Sequence, residues 1–173
     1  MNLIKKITPL ALVIALFTSC EDEVGPLTDI KPPIPVTVTN AFAYRPDPTV
    51  TSSLAGGGTI QIILSIPASS GRTIKEVAVA TSTTTVTTNT YSAIQSTGTT
   101  GFYTGSPFTA SGTSFTFNTT IAQYFVVNPP TAATGTNPPA LANVELARRF
   151  YFKVTLDDNS VIITQPIRVL VLA

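Results

Sequence analysis

Two stretches of this chain alternate apolar and polar residues with a period of two, and that pattern constrains the fold more than any other feature. Ile60, Ile62, Leu64 and Ile66 share one parity, with Gln61, Ile63 and Ser65 between them. Phe150, Phe152, Val154 and Leu156 do the same against Tyr151, Lys153 and Thr155. Successive side chains of a strand point to opposite faces, so such runs are strands with one buried face. Turn-forming residues bound both runs. Gly56-Gly57-Gly58 precedes the first, Pro67 and Ser69-Ser70-Gly71 follow it, and Asp157-Asp158-Asn159-Ser160 follows the second.

Weaker alternation fills in the rest. Val36, Val38, Phe42 and Tyr44 predict a first strand, ended by Arg45-Pro46-Asp47-Pro48 because proline cannot donate to a ladder. Val77 and Val79 begin another strand, running to about Ser82. Phe115 and Phe117 mark one with Thr116 facing out. Thr120 to Phe125 predicts one helical turn crossing between sheets, capped by Thr119 or Thr120. Residues 83–114, rich in Thr, Ser and Gly, predict one or two short edge strands joined by a long loop. Asn128 to Pro139 reads as a loop. Val161 to Ile163 returns from the last turn, Pro166 breaks or bulges the strand, and Ile167, Val169 and Val171 complete it.

Some seven short strands separated by turns predict an all-β fold, a two-sheet sandwich over residues 36–173. The final hairpin resembles the last two strands of immunoglobulin-like and fibronectin-type-III-like domains. The resemblance is generic and covers about thirty residues; it implies an immunoglobulin-like sandwich and carries no activity.

The first 35 residues follow a different logic. Lys5 and Lys6 form a basic start, and Ile7 to Phe17 is an apolar run too short to span a bilayer stably. Leu16-Phe17-Thr18-Ser19-Cys20 follows, with the only cysteine of the chain at its end. This layout resembles the lipobox of bacterial lipoproteins. The resemblance implies that residues 1–19 are a signal peptide, that Cys20 becomes the first residue, and that its thiol carries a diacylglyceryl group. Two alternatives are a leader cut earlier, leaving a free thiol, and a short uncleaved anchor. Glu21-Asp22-Glu23 resembles the export signal of surface lipoproteins in Bacteroidota, which implies a lipid anchor in the outer membrane with the domain on the cell surface. A periplasm-facing domain is the alternative, with the three acids a solvated start to a linker. Residues 20–35 hold Pro26, Pro32, Pro33 and Pro35 and read as an extended, semi-rigid tether.

Composition removes several function classes. Lys5 and Lys6 leave with the leader, so eight basic and nine acidic residues remain, a side-chain charge of −1. Bulk charge therefore attracts neither nucleic acid nor an anionic membrane face. The chain has no histidine and no tryptophan. Ser-His-Asp and Cys-His machinery and histidine zinc sites are accordingly absent, and one cysteine permits no internal disulfide. No cofactor or metal site is expected.

Paired carboxylates remain as a route to glycoside hydrolysis. The candidates are Asp47, Glu76, Glu145, Asp157 and Asp158. Asp157 and Asp158 read better as turn residues, Glu76 beside Lys75 and Glu145 four before Arg149 as solvated surface pairs. Asp157, Asp158 and Asn159 lack the spacing of a calcium loop. Tyr91, Phe102, Tyr103 and Phe108 are candidate ligand-binding aromatics, with plugs at the sandwich end as the alternative. From Val77 to Val144 there is no Asp, Glu, Lys or Arg. Either Thr, Ser and Asn keep this surface soluble, or a partner or second copy covers part of it.

These readings converge on a non-catalytic, surface-exposed lipoprotein serving as a binding or accessory module at the outer membrane. A structural subunit of a pilus-like surface assembly is the second expectation, and a small carboxylate-based glycan hydrolase the third.

Overall fold

A computed structural model describes residues 34–44, 47–83, 94, 102–129 and 143–173. The expected leader, Cys20 to Glu23 and Tyr91 lie outside these residues. In chain order the strands are β1 (Thr37–Val38), β2 (Thr49–Ser53), β3 (Thr59–Ser65), β4 (Ile74–Thr83), β5 (Phe108–Thr109) and β6 (Ser114–Thr120). Helix α1 (Ile121–Val127) follows, then β7 (Val144–Glu145), β8 (Arg148–Leu156), β9 (Val161–Ile163) and β10 (Arg168–Leu172).

The chain is an all-β sandwich. One layer has the order β1-β3-β6, with β3 antiparallel to both neighbours. The facing layer is built from β5-β4-β8-β9 and β2-β10-β7. These two groups are continuous, because β7 leads into β8 and β9 into β10. Phe150 and Ile167 exchange both backbone hydrogen bonds between them, at 2.9 and 2.8 Å. The sequence-expected hairpin is therefore one long antiparallel pair, broken in the middle of each arm. Pro166 accounts for the break in one arm, since it has no N–H to give. Beside it Thr164 is buried, and its Oγ1 accepts the Phe152 N–H at 3.0 Å. A side-chain oxygen thus fills the ladder position that the bulge vacates.

The inward faces are those that the alternation marks. Ile60, Ile62 and Leu64 of β3 are fully buried, and so are Phe150, Phe152, Val154 and Leu156 of β8. Phe117 of β6 crosses the gap between layers and meets Phe150 and Phe152 with ring centroids 5.8 and 5.5 Å apart. Ile34 and Val36 pack against this core from the chain's first described residues.

At the far end of β6 the expected helical turn forms. Thr120 caps it, its Oγ1 accepting the Gln123 N–H at 3.1 Å. Gly58, at φ +69°, turns the chain into β3 and accepts the Ile121 N–H at 2.8 Å; its Cα hydrogens face Ile121 so closely that a Cβ there would stand 3.4 Å from that side chain. Tyr124 of α1 is buried. Its hydroxyl accepts the Arg148 N–H at 2.8 Å and donates to the Arg148 carbonyl at 3.2 Å, tying the crossover to the start of β8.

Three sequence expectations need correction. The strand expected over Val36 to Tyr44 stops after Val38. Asn40 ends it: its amide donates to the Gln61 carbonyl at 2.8 Å and accepts the Ile63 N–H at 2.9 Å. The side chain takes the place of a strand peptide, and the backbone turns away. Phe42 and Tyr44 are consequently 60% and 54% exposed. Secondly, β2 has no counterpart in the sequence reading. It pairs parallel with β10, from Thr49–Arg168 to Ser53–Leu172. Its buried positions include Thr49 and Ser52, so apolar alternation does not mark it. Thirdly, Tyr151 does not face solvent. It is fully buried in a small second core on the outer face of β8, with Ala80 and Ile94, against which Phe102 and Ile163 pack.

Two outcomes follow. Phe152→Ala and Tyr151→Ala, on opposite faces of one strand, are each expected to cost about 3–5 kcal/mol in urea unfolding. A small loss at Tyr151 would show that the second core contributes little. The second outcome concerns pH. Burial pushes the Tyr124 phenol up to about 12, against an ordinary value of 10.0. The folded state therefore holds this proton more tightly than the unfolded chain does. The resulting stability is fully present below about pH 10 and is lost as pH rises through 12, up to about 3 kcal/mol. Tyr124→Phe is expected to flatten that loss between pH 9 and pH 12 while lowering stability at pH 7 by about 1–2 kcal/mol through the lost hydrogen bonds.

Candidate functional site

The candidate aromatics do not converge. Phe102 and Tyr103 are adjacent in the chain, and their side chains enter different clusters. Phe102 joins the outer cluster around Tyr151. Tyr103 enters the main core, edge-on to Phe117 at 5.9 Å and to Phe150 at 5.3 Å. Its hydroxyl is satisfied by Thr119 Oγ1 at 2.8 Å, and burial pushes the phenol above its usual range. Phe108 sits at the sandwich edge, 38% exposed, with its ring 5.7 Å from that of Phe115. Tyr103 thus serves as a plug, Phe102 is half-buried, and Phe108 is the most exposed of the three. Among the described residues the most exposed aromatics are Phe42 and Tyr44, which the sequence pattern places in a strand. Tyr44 is held by a hydrogen bond from its hydroxyl to the Val38 carbonyl. The signal for their exposure was Asn40, whose amide can replace a strand peptide.

Four of the five candidate carboxylates are bound by arginines or backbone amides. Glu76 is half-buried on β4, in register between Thr109 of β5 and Thr155 of β8, apart from the other four. Asp47, Glu145, Arg149 and Arg168 form one partly buried cluster. Arg149 Nη1 contacts Asp47 Oδ2 at 2.6 Å, and its Nε lies 3.8 Å from Glu145. Arg168 grips Glu145 with two nitrogens, its Nε at 2.6 Å from Oε1 and its Nη2 on Oε2. The hydrogen bonds it donates to Glu145 push the Arg168 guanidinium above its ordinary value, so it stays charged throughout. The expectation of a solvated Glu145–Arg149 surface pair is corrected here. These residues lie on β7 and β8 rather than on a helix, and the cluster bridges the place where both arms of the long hairpin break. Arg168 N–H also donates to the Pro48 carbonyl at 2.8 Å, so the cluster fixes β2 beside β10.

Asp157 to Ser160 form the expected turn, with Asn159 in the left-handed region at φ 64°. Asp158 Oδ1 accepts from the Ser160 N–H at 2.9 Å and from its hydroxyl at 2.6 Å, while Oδ2 meets Arg72 at 3.0 Å. The Ser160 bonds hold the Asp158 carboxyl below its usual range. Asp157 accepts from the Thr73 N–H at 3.3 Å, and Asn159 accepts from Lys75 Nζ at 2.7 Å. Among the described residues no three His, Cys, Asp or Glu side chains gather as a metal site.

A different feature stands out at the other layer. The charge-free stretch includes β6, which ends the order β1-β3-β6. Its Ser114, Thr116, Asn118 and Thr120 are exposed. Of the edge strands expected within residues 83–114, the part over 84–93 and 95–101 lies outside the described residues, and Thr83 ends β4 paired with Arg148. No family model, curated protein or solved structure matches this chain.

Proposed function

We propose that this chain is a non-catalytic lipoprotein, anchored through Cys20 in the outer membrane, whose sandwich domain acts as a binding or accessory module on the cell surface. The observation that carries this reading is the run Leu16 to Cys20 behind a basic, apolar leader and ahead of Glu21-Asp22-Glu23. Two acyl chains on one glycerol would hold the protein on a membrane where one chain does so only marginally. The strand order supports an immunoglobulin-like sandwich. β1 and β6 flank β3 in one layer, β4 and the long hairpin fill the other, and β2 runs parallel to the last strand. Such a scaffold presents surfaces and carries no chemistry of its own. The engagement of Asp47, Glu145, Asp157 and Asp158 in ion pairs and turn bonds supports the non-catalytic reading over the hydrolase.

The second reading, a subunit of a surface assembly, is favoured by the uncharged strand at the edge of the β1-β3-β6 layer. Pilus-like maturation by cleavage at Arg45 would remove β1 and Asn40. Val38 is buried in the core, and Asn40 supplies two bonds to β3, so such a cut would strip one side of β3. That cost favours the intact lipoprotein.

The test is the intact mass of detergent-extracted protein. The expected species begins at Cys20 and carries a diacylglyceryl group, and Cys20→Ala abolishes both the cut and the lipid. A wild-type chain without lipid, or one beginning near Arg45, would overturn the proposal.

A further inference from the structure

We propose that β6 is a self-pairing edge, through which two copies of this chain join antiparallel about a two-fold axis at Thr116. The strand pairs with β3 in unbroken register, from Thr120–Thr59 to Ser114–Ser65. Just beyond its ends the Ile66 N–H donates to the Thr113 carbonyl at 2.9 Å, and the Ile121 N–H donates to the Gly58 carbonyl at 2.8 Å. Residues of an antiparallel strand alternate between facing their neighbour and facing away. Both end bonds set the same phase, so Phe115, Phe117 and Thr119 turn their peptide groups toward β3. Ser114, Thr116 and Asn118 turn theirs to the other side, where no strand pairs with them among the described residues.

Natural sheets guard such edges with lysine, proline, bulges or shortness. β1 and β5 are two residues long, and the start of β2 is covered by Phe42 and Ala43, which pair with Thr49. β6 has none of these protections. It is seven residues long, straight in register, and reads Ser-Phe-Thr-Phe-Asn-Thr-Thr.

Three observations point to a second copy as the occupant. A two-fold axis at Thr116 sets Thr116 against itself and Ser114 against Asn118 of the second copy. All three outward-facing residues of each chain then meet partners, and Thr120 stays free to cap α1. No charge occurs between Val77 and Val144, so the two edges approach without like-charge repulsion, and a charged partner strand would find no counter-charge. The half-buried Phe115 and the exposed Phe108 lie at this same edge, and the register sets Phe115 opposite Phe117 of the second copy, covering apolar surface. Because each copy uses the same strand, the pairing closes at a dimer and leaves neither β6 open. This inference stands independently of lipidation.

Disulfide trapping in the full chain tests it. Directly opposed residues that exchange both hydrogen bonds have Cα atoms about 5.5 Å apart, within disulfide range. Thr116→Cys under mild oxidation is expected to give a homodimer. The wild-type chain, with Cys20 alone, sets the background, and Thr51→Cys, exposed on β2, should not exceed it. Thr116→Pro removes an outward N–H that β3 does not use. It should keep the unfolding midpoint and weaken dimerisation about tenfold or more in sedimentation velocity. Should the proline variant unfold, Thr116→Lys makes the same test from an exposed side chain. Thr116→Cys at background level, its capture of a different protein, or an undiminished dimer in the folded Pro or Lys variant would overturn the proposal.

Discussion

Burial of β8 on both faces is the constraint on which the rest of this sandwich depends. Phe150, Phe152, Val154 and Leu156 fill the space between the layers, while Tyr151 on the reverse side anchors the cluster with Ala80 and Ile94. β4 and the returning arm of the hairpin bracket β8, so its ladder is satisfied on both sides. A strand held in this way cannot slip by one residue, because a slip would turn Arg149, Lys153 and Thr155 into the core and Phe150, Phe152 and Val154 out of it. Its position then fixes the neighbours. Phe117 is seated by Phe150 and Phe152, and α1 is seated by the bonds of Tyr124 to Arg148.

With so few charges in the chain, where they sit is informative. Asp47, Glu145, Arg149 and Arg168 gather at the break in the long hairpin, and Arg72, Lys75 and Asp158 gather at its turn, Lys75 on the amide oxygen of Asn159. Partly buried ion pairs add little stability as isolated contacts. Their geometry here does something else. It holds β2 against β10 and carries the hairpin across Pro166, where backbone hydrogen bonding alone is interrupted. The layer containing β6 has no such group on its edge, and its exposed residues are hydroxyls and an amide.

Period-two alternation reveals the strands that carry a row of apolar residues on one face, β3, β4, β6, β8 and the last arm, together with the turns between them. It was silent on β2, because parallel pairing with a distant strand buries Thr49 and Ser52 rather than a row of large apolar residues. It misplaced Phe42 and Tyr44, because the amide of Asn40 ends the strand and polarity patterns do not register that substitution. Alternation places Tyr151 outward because it assumes one wet face, and a local cover of Ile94 and Phe102 violates that assumption. Tyr103 reads from the sequence as a candidate ligand-binding aromatic, because its core neighbours Phe117 and Phe150 are remote in the chain. The edge character of β6 depends on strand order, which no local pattern encodes; only its lack of charge was visible beforehand.

The central structural claim is that the hairpin from Val144 to Leu172 is one continuous pair despite the break in each arm. Amide hydrogen exchange measures this directly. The Phe150 and Ile167 N–H groups, bonded to each other's residues at the junction, are predicted to exchange only with global unfolding, as slowly as the Phe152 and Val154 amides of β8. Exchange at Ile167 on the timescale of a loop amide, with Phe152 still protected, would mean that the two halves are separate sheets and would contradict the account.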